Sequence, residues 1–239
     1  MIICISGGVG SGKSITAVHH AVEESKNNLV LTNFTLKKIK NYYRLKRTDV
    51  IDTQTNTEQV GDKIKTTQET VVNWDFWNDS KHQGSDVFLD EVHNLINSRN
   101  GMSKQNRVLN EWVSQIRKVW GTSGDVSIID KIQKFDNNLF NKYWVEFLAR
   151  SNNLYYITQR PRKADVNWRE LTHVHIRCSK QIIDGKVIIF NHIWFGDDNL
   201  DPFEAEEMGV LPKVHVFVAN KYFDKYESYE IIRGQGEYL

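Results

Sequence analysis

Short apolar runs along the chain predict the buried strands of a sheet. The first run covers residues 2–5 and is continuous rather than alternating, which is typical of a parallel strand covered on both faces. A glycine-rich turn follows, and from residue 13 to about 25 the apolar side chains recur at helical spacing. Another apolar run covers residues 29–32. The order strand, loop, helix, strand predicts the start of a doubly wound α/β fold.

The middle of the chain continues this alternation of strands and helices. Residues 86–90 and 154–158 have the composition of buried strands, whereas residues 108–119 and 139–148 have the periodicity of amphipathic helices. We therefore expect a mainly parallel sheet flanked by helices.

The last third of the chain, residues 172–239, is rich in β-forming segments. Residues 174–178, 187–195 and 214–218 are dominated by β-branched and aromatic side chains, and Asp184-Gly185 is a typical hairpin turn. We expect this part to finish the sheet with antiparallel strands, as a β-rich extension of the same domain.

Two polar stretches interrupt the pattern without indicating a second domain. Residues 48–72 are rich in Thr and Gln and carry weak structure signals, and residues 121–136 are ambiguous between a hairpin and a loop on the rim. With 239 residues, 40% of them hydrophobic, the composition is that of an ordinary globular domain. We predict a single domain over residues 1–239, with these two stretches as insertions.

The strongest chemical signal is the pattern G-x-x-x-x-G-K-[ST], which residues 7–14 match in full between a predicted strand and a predicted helix. Glycines let successive backbone N–H groups point inward at a helix N-terminus, which creates a site for a polyphosphate. Lys13 would reach the β- and γ-phosphates of ATP, and the Ser14 hydroxyl would ligate Mg²⁺. A chance glycine turn would match in roughly one chain in a hundred. The predicted nucleotide-binding residues are Gly7, Gly8, Val9, Gly10, Ser11, Gly12, Lys13, Ser14 and Ile15.

An acidic pair, Asp90 and Glu91, follows the strand pattern at 86–90. Both carboxylates would therefore lie at the carboxyl ends of the strands, where open α/β sheets bind ligands. Asp90 suits the Mg²⁺ shell, mostly through water, and Glu91 could orient and deprotonate an attacking water. An acidic loop after a strand is common, and the phosphate loop upstream is what favours the functional interpretation.

A polar strand end and several arginines complete the candidate site. Gln159 follows the strand pattern at 154–158 and would lie at the same edge, where its amide could hold water or sense the γ-phosphate. An arginine is expected because charge spreads over the γ-phosphate oxygens during transfer. We rank Arg150 first, because it precedes that strand and could face a neighbouring subunit. The other candidates are Arg160, Arg162, Arg117 and Arg99.

Net charge, cysteines and apolar runs narrow the classes of function. A formal net charge of +1 gives no global attraction to nucleic acid or membranes. Cys4 and Cys178 lie far apart in apolar runs, as expected for reduced core residues of a cytosolic protein. The chain reaches its glycine loop too early for a secretory leader, and its apolar runs fall well short of the ~20 residues that span a bilayer. We expect a cytoplasmic protein, in the host cell if it is viral, with no direct membrane span.

A local basic run covers residues 36–47 and includes Tyr42 and Tyr43. It could follow a DNA backbone, with the tyrosines stacking on exposed bases. A solvated basic surface explains the same pattern equally well, so both interpretations stay open.

Beyond the phosphate loop and the acidic pair, the chain carries further landmarks: LVLTN at 29–33, FLDEVH at 88–93, Ser98-Arg99, Ala149-Arg150, ITQ at 157–159 and KYFDKYESYE at 221–230. Taken together, they resemble the zonula occludens toxin-like ATPases, which include the filamentous-phage assembly protein and are related to the FtsK/HerA motors. The resemblance covers most of the chain and is strict at the phosphate loop, the Asp-Glu pair and the Thr-Gln strand end.

This resemblance implies a P-loop NTPase sheet of the ASCE type, a glutamate base in Glu91 and a sensor in Gln159. It also implies a ring-shaped homo-oligomer, such as a hexamer, acting with other proteins in virus assembly, genome extrusion or packaging. Members that assemble phage at the inner membrane usually carry a transmembrane segment after the ATPase region, and none is found here. We therefore expect a motor or packaging ATPase of a virus or mobile element.

Two other functions remain compatible with the residues. A P-loop kinase for a small substrate would share the phosphate loop, but an adjacent Asp-Glu pair suits water activation better. A scaffold could bind ATP without hydrolysing it and organise assembly partners.

Overall fold

The computed structural model describes residues 1–60, 63–91, 104–119, 126–196 and 202–226. The strands are β1 Ile2–Ser6, β2 Val30–Thr32, β3 Tyr42–Arg44, β4 Ile51–Val60, β5 Lys63–Val72, β6 Asp86–Leu89, β7 Leu154–Thr158, β8 Val174–Ile183, β9 Lys186–Phe195 and β10 Lys213–Val218. The helices are α1 Lys13–Glu24, α2 Arg47–Val50, α3 Trp74–Asn78, α4 Lys104–Val119, α5 Val126–Gln133, α6 Asn137–Leu148, α7 Val166–Glu170 and α8 Pro202–Glu207. Short 3₁₀ helices cover Pro161–Lys163 and Ala219–Lys225.

Within the described residues, one eight-stranded sheet has the order β10-β9-β8-β1-β7-β6-β2-β3. The strands from β8 to β3 in this order run parallel, and β9 and β10 are added antiparallel. The predicted α/β fold is confirmed. Strand β7 lies between β1, which precedes the phosphate loop, and β6, which precedes the acidic pair. This order places the two halves of the candidate site on either side of one strand.

The last third adds the predicted antiparallel strands, β9 and β10, but it does not contribute antiparallel strands alone. Its first strand, β8, pairs parallel with β1. The chain leaves β7, crosses one face through α7 and re-enters the sheet in the same direction, as a crossover connection requires. Only the turn at Asp184-Gly185 then reverses it, and there Asp184 and Gly185 both take positive φ, 49° and 72°.

Two hydrophobic cores lie on the two faces of the sheet. Successive residues of a strand point to opposite faces, so Ile3 and Ile5 enter one core while Ile2 and Cys4 enter the other. The first core is covered by α1, α5 and α6, and the second by α3, α4 and α7. Both cysteines are buried core residues, as predicted. Packing on both faces explains why the strand sequences are continuously apolar.

The polar stretch at 48–72 contains α2 and the β4–β5 hairpin. The hairpin pairs from Ile51 with Val72 to Val60 with Lys63 and forms its own two-stranded sheet. Side chains at 52–59 and 63–69 are exposed, so neither face carries the apolar alternation that identifies a half-buried strand. This explains why the sequence carried only weak structure signals here.

The prediction of a hairpin or loop for the second polar stretch, residues 121–136, was wrong for the part that the structure describes. Residues 126–133 form helix α5 rather than a hairpin or rim loop. Ile129 and Ile132, three residues apart on one helical face, are buried in the core with α1 and α6. Residues 121–125 lie outside the described residues. Within the described part of the chain, no helix combines the length and the apolar composition that crossing a bilayer requires.

Candidate active site

The phosphate loop connects β1 to the N-terminus of α1. Gly12 is the N-cap of α1 and has φ 102°, a left-handed conformation that L side chains rarely adopt. A Cβ at Gly12 would also lie 2.5 Å from Cδ1 of Ile189 on β9. Both the backbone angle and the neighbouring strand therefore require glycine at this position. The loop therefore ends in a tight turn at the start of α1. The first N–H groups of this helix, which have no partner within the helix, face the loop.

Lys13 crosses its own loop. Its side chain is largely buried, and Nζ donates a hydrogen bond of 3.0 Å to the carbonyl oxygen of Gly8. The ammonium group therefore lies over the curve formed by the loop backbone. A polyphosphate in that curve would meet the lysine cation and the helix N-terminus together.

The loop and the acidic strand end are directly connected. Ser14 Oγ donates a hydrogen bond of 2.9 Å to Oδ2 of Asp90, although the two residues are 76 positions apart. The bond bridges the width of β7, because Ser14 follows β1 whereas Asp90 follows β6. The predicted Mg²⁺ ligands are thus brought together by the strand order. A hydroxyl and a carboxylate beside a phosphate loop are the hard oxygen donors that Mg²⁺ prefers, so the residues fit this cation.

Asp90 is a buried carboxyl group. Burial raises its pKa to about 6, with the Ser14 hydrogen bond and the Lys13 charge acting in the opposite direction. A cation beside the carboxylate would oppose the cost of burial and favour the charged form. A buried carboxylate at this position would therefore be stabilised by a neighbouring positive charge.

Asn33 holds the Asp90 backbone in place. Its side-chain Nδ2 donates to the Asp90 carbonyl oxygen at 2.9 Å, and its Oδ1 accepts from the Asp90 N–H at 2.7 Å. Asn33 follows β2, the sheet neighbour of β6. In the sequence, Asn33 stands out only as the last residue of the LVLTN landmark at 29–33. The available signal was a polar residue after a buried strand, but its partner could not be identified without the strand order.

Glu91 adopts a left-handed backbone conformation, with φ 52°. This is uncommon for a residue other than glycine, and such conformations cluster at functional sites. The N–H of Glu91 donates to Oδ1 of Asp90 at 2.8 Å. The two acidic residues therefore form one unit, in which the carboxylate of the first fixes the backbone of the second.

Gln159 lies at the same edge of the sheet. Thr158 at the end of β7 pairs with Ser6 at the end of β1, so the next residue, Gln159, emerges beside the phosphate loop. The strand that carries Gln159 lies between β1 and β6. The residue is half-buried, and its strand separates the one that leads to the loop from the one that leads to the acidic pair.

Arg150 is at the opposite edge. Leu154 at the start of β7 pairs with Ile2 at the start of β1, so Arg150 lies by the amino ends of the strands. It forms an ion pair with Glu146 one helical turn earlier, and both side chains are largely exposed. Of the other candidates, Arg160 and Arg162 follow Gln159 at the carboxyl edge. Arg160 is exposed and Arg162 contacts Glu204 at 3.3 Å. Arg99 and the side chain of Arg117 lie outside the described residues.

The basic side chains of this run are mostly exposed. Lys37, Lys38, Lys40 and Arg47 are exposed, and Lys38 also pairs with Asp224 at 2.6 Å. The tyrosines lie on β3 and are half-buried. Tyr42 Oη donates to the Phe34 carbonyl oxygen at 2.9 Å, and Tyr43 Oη donates to Asp49 at 3.1 Å. These contacts hold both rings against the protein, which does not favour their stacking on bases.

Comparisons with known proteins agree with this architecture. A family model described as Zonular occludens toxin (Zot) matches residues 1–187. Among solved structures, the N-terminal domain of zonular occludens toxin from Neisseria meningitidis is similar, with a TM-score of 0.52 and 17% sequence identity. That alignment covers 95% of this chain and 98% of the other, and it shows a shared fold. No curated protein matches the chain.

Proposed function

We propose, from the premise that this chain belongs to the Zonular occludens toxin (Zot) family, that it is a Mg²⁺-dependent ATPase. The family is P-loop ATPase-like, which supports nucleotide binding in general terms. We propose in addition that it hydrolyses ATP, that hydrolysis requires Mg²⁺, and that the residues of the phosphate loop and the acidic pair perform it.

The observation that carries the proposal is the hydrogen bond of 2.9 Å between Ser14 and Asp90. It joins the phosphate loop to an acidic pair whose second member, Glu91, could activate water. Mg²⁺, when bound by Ser14 and Asp90, would neutralise charge on the β- and γ-phosphates. Lys13 and the loop amides would hold the same phosphates from the other side.

In the proposed reaction, Glu91 accepts a proton from water as the water oxygen bonds to the γ-phosphorus. The bond between that phosphorus and the bridging oxygen breaks, which releases ADP and phosphate. Gln159 would orient the water through its amide. These proposed roles are supported by the location of the residues at the carboxyl edge of three adjacent strands, β1, β7 and β6.

We further propose that the ATPase works as a homo-oligomeric ring, such as a hexamer, moving DNA in virus assembly, extrusion or packaging. Arg150 lies at the sheet edge opposite to the phosphate loop of its own subunit, so a role in phosphoryl transfer requires the site of a neighbour. Because ATP is the substrate, the proposal places the activity in the host-cell cytoplasm, together with other assembly proteins.

Phosphate release distinguishes the three candidate functions. We expect the purified protein to release phosphate from ATP with Mg²⁺ and without any phosphoryl acceptor, because Glu91 makes water the acceptor. A kinase would need an added acceptor, and a scaffold would bind ATP without turnover. The control is the same assay with EDTA in place of Mg²⁺. Absence of both ATP binding and turnover would overturn the proposal.

The basic run supplies a test of DNA binding. We expect replacement of the exposed residues Lys37, Lys40 and Arg47 by Glu to weaken DNA binding and reduce its salt dependence. Each phosphate contact removed lowers the slope of log affinity against log salt by about 0.9 for duplex DNA. The measurement is a salt titration of DNA affinity.

The matched control reverses three exposed lysines elsewhere on the surface, Lys65, Lys81 and Lys134. Equal slopes for the wild type and the 37/40/47 variant would show that the basic run is a solvated surface rather than a DNA contact. This outcome would leave the ATPase proposal untouched.

A further inference from the structure

A cavity of about 250 Å³ opens beside the phosphate loop, on the side away from Asp90. One wall is the loop itself with the first turn of α1. The opposite wall comes from the last third of the chain and is formed by Lys180, Val187, Ile189, Phe223 and Tyr226. Neither the sequence motifs nor the proposed chemistry assigns a role to these five residues.

The β8–β9 ribbon reaches the loop because β8 continues past the edge of the sheet. Ser6, the last residue of β1, pairs with Arg177, and β8 then runs on to Ile183. Lys180 therefore lies alongside the loop, and its Nζ is 3.7 Å from where a Cβ at Gly10 would be. Ile189 is its antiparallel partner on β9. The ribbon thus adds a second cation and an apolar surface to the phosphate loop.

The 3₁₀ helix at 219–225 closes the far end of the cavity. It is anchored on two sides, because Asn220 Oδ1 accepts from the Val187 N–H at 2.7 Å and Tyr222 Oη bonds to His19 Nδ1 at 2.7 Å. Its outer side is tied to the basic run by the Lys38–Asp224 ion pair. Between these anchors Phe223 remains 49% exposed and faces the cavity. A half-exposed aromatic ring on a tethered segment is placed to contact a ligand at low entropic cost.

The direction of a bound triphosphate follows from the sheet order. Ser14 and Asp90 mark the end of the loop where the transferred phosphate and Mg²⁺ would lie, on the β6 side of β1. Strands β8 and β9 lie on the other side of β1. A polyphosphate chain held along the loop would therefore direct its nucleoside end toward the cavity.

We propose that this cavity receives the base and ribose of the nucleoside triphosphate. Phe223 stacks on the base, Ile189 and Val187 provide an apolar floor, and Lys180 pairs with the phosphate next to the ribose. This inference rests on the proposed function, because it identifies how the same site recognises the nucleoside rather than the phosphates. It makes Phe223 a binding residue for the base and Lys180 one for the phosphate chain.

The experiment compares two ligands, Mg-ATP and Mg-tripolyphosphate, which share the three phosphates but differ in the nucleoside. We expect Phe223→Ala to weaken ATP binding about tenfold, as loss of one base–aromatic stack does, and to leave tripolyphosphate binding unchanged. Phe223→Trp should retain ATP affinity because it keeps an aromatic surface. Lys180→Ala should weaken both ligands several-fold.

Leu139→Ala is the matched control, because Leu139 is an apolar residue of similar exposure, 44%, on α6 away from the cavity. Thermal unfolding of each variant confirms that binding is compared between folded proteins. If Phe223→Ala binds ATP as the wild type does, the base does not occupy this cavity, and the ATPase proposal still stands. If the wild type binds neither ATP nor tripolyphosphate, both proposals fail together.

Discussion

Replacing Glu91 by Gln is expected to abolish ATP turnover while ATP binding is retained. Glutamine keeps the shape of the side chain and its capacity for hydrogen bonding but cannot accept a proton from water. General-base catalysis contributes about 10² to 10⁴ in rate, so kcat should fall by that factor. The measurements are steady-state phosphate release and equilibrium binding of ATP with Mg²⁺.

The control for Glu91→Gln is Glu170→Gln, which makes the same chemical change at an exposed position on α7. The left-handed backbone at residue 91 has about the same conformational energy for Gln as for Glu. The melting temperatures of the Glu91→Gln variant and the wild type should therefore agree. Turnover close to that of the wild type would show that another group activates the water. Loss of binding together with turnover would show that Glu91 holds the nucleotide instead.

Replacing Lys13 by Ala should weaken ATP binding strongly and reduce turnover further. The ammonium group lies over the loop, within 3.0 Å of the Gly8 carbonyl oxygen, where the β- and γ-phosphates would be held. Hydrogen bonds to charged groups contribute about 1.5–3 kcal/mol, so affinity should fall roughly 10- to 150-fold. Removing a donor aimed at transition-state charge costs about 10² to 10³ in kcat. Calorimetric binding and phosphate release measure the two effects separately.

Lys26→Ala is the control for the charge change, because Lys26 lies just beyond the other end of α1 with a side chain 62% exposed. It should leave binding and turnover at wild-type values. A Lys13→Ala protein that binds and hydrolyses ATP normally would contradict the proposed phosphate site. The result would then require a different location for the nucleotide.

Much of the fold was predictable because its signals are local. The continuous apolar runs that became β1, β6 and β7 mark strands buried on both faces, and the helical spacing after the phosphate loop became α1. The resemblance to zonula occludens toxin-like proteins is confirmed by the family match over residues 1–187. Helix α5 was mistaken for a hairpin or loop, although Ile129 and Ile132 have the spacing of one helical face. The parallel pairing of β8 with β1 has no local signal, because it depends on a distant strand.

Most individual residues of the candidate site could be predicted from the sequence, whereas the contacts between them could not. The glycine pattern identified Lys13 and Ser14, and a polar pair after an apolar run identified Asp90 and Glu91. Asn33 was not recognised as their support, because its role requires that β2 and β6 be neighbours. Arg150 was ranked first among the arginines from its place in the chain alone, and the structure puts it at the far edge of the sheet.

The sequence by itself determined the phosphate loop, the acidic pair and the periods of the strands and helices, because each depends on residues within a few positions of one another. Only the tertiary structure decided that Ser14 contacts Asp90 and that Phe223 and Lys180 line a cavity beside the loop. These contacts join residues that are far apart in the sequence. They depend on which strands are adjacent in the sheet, and that order is set by burial on both faces rather than by any local pattern.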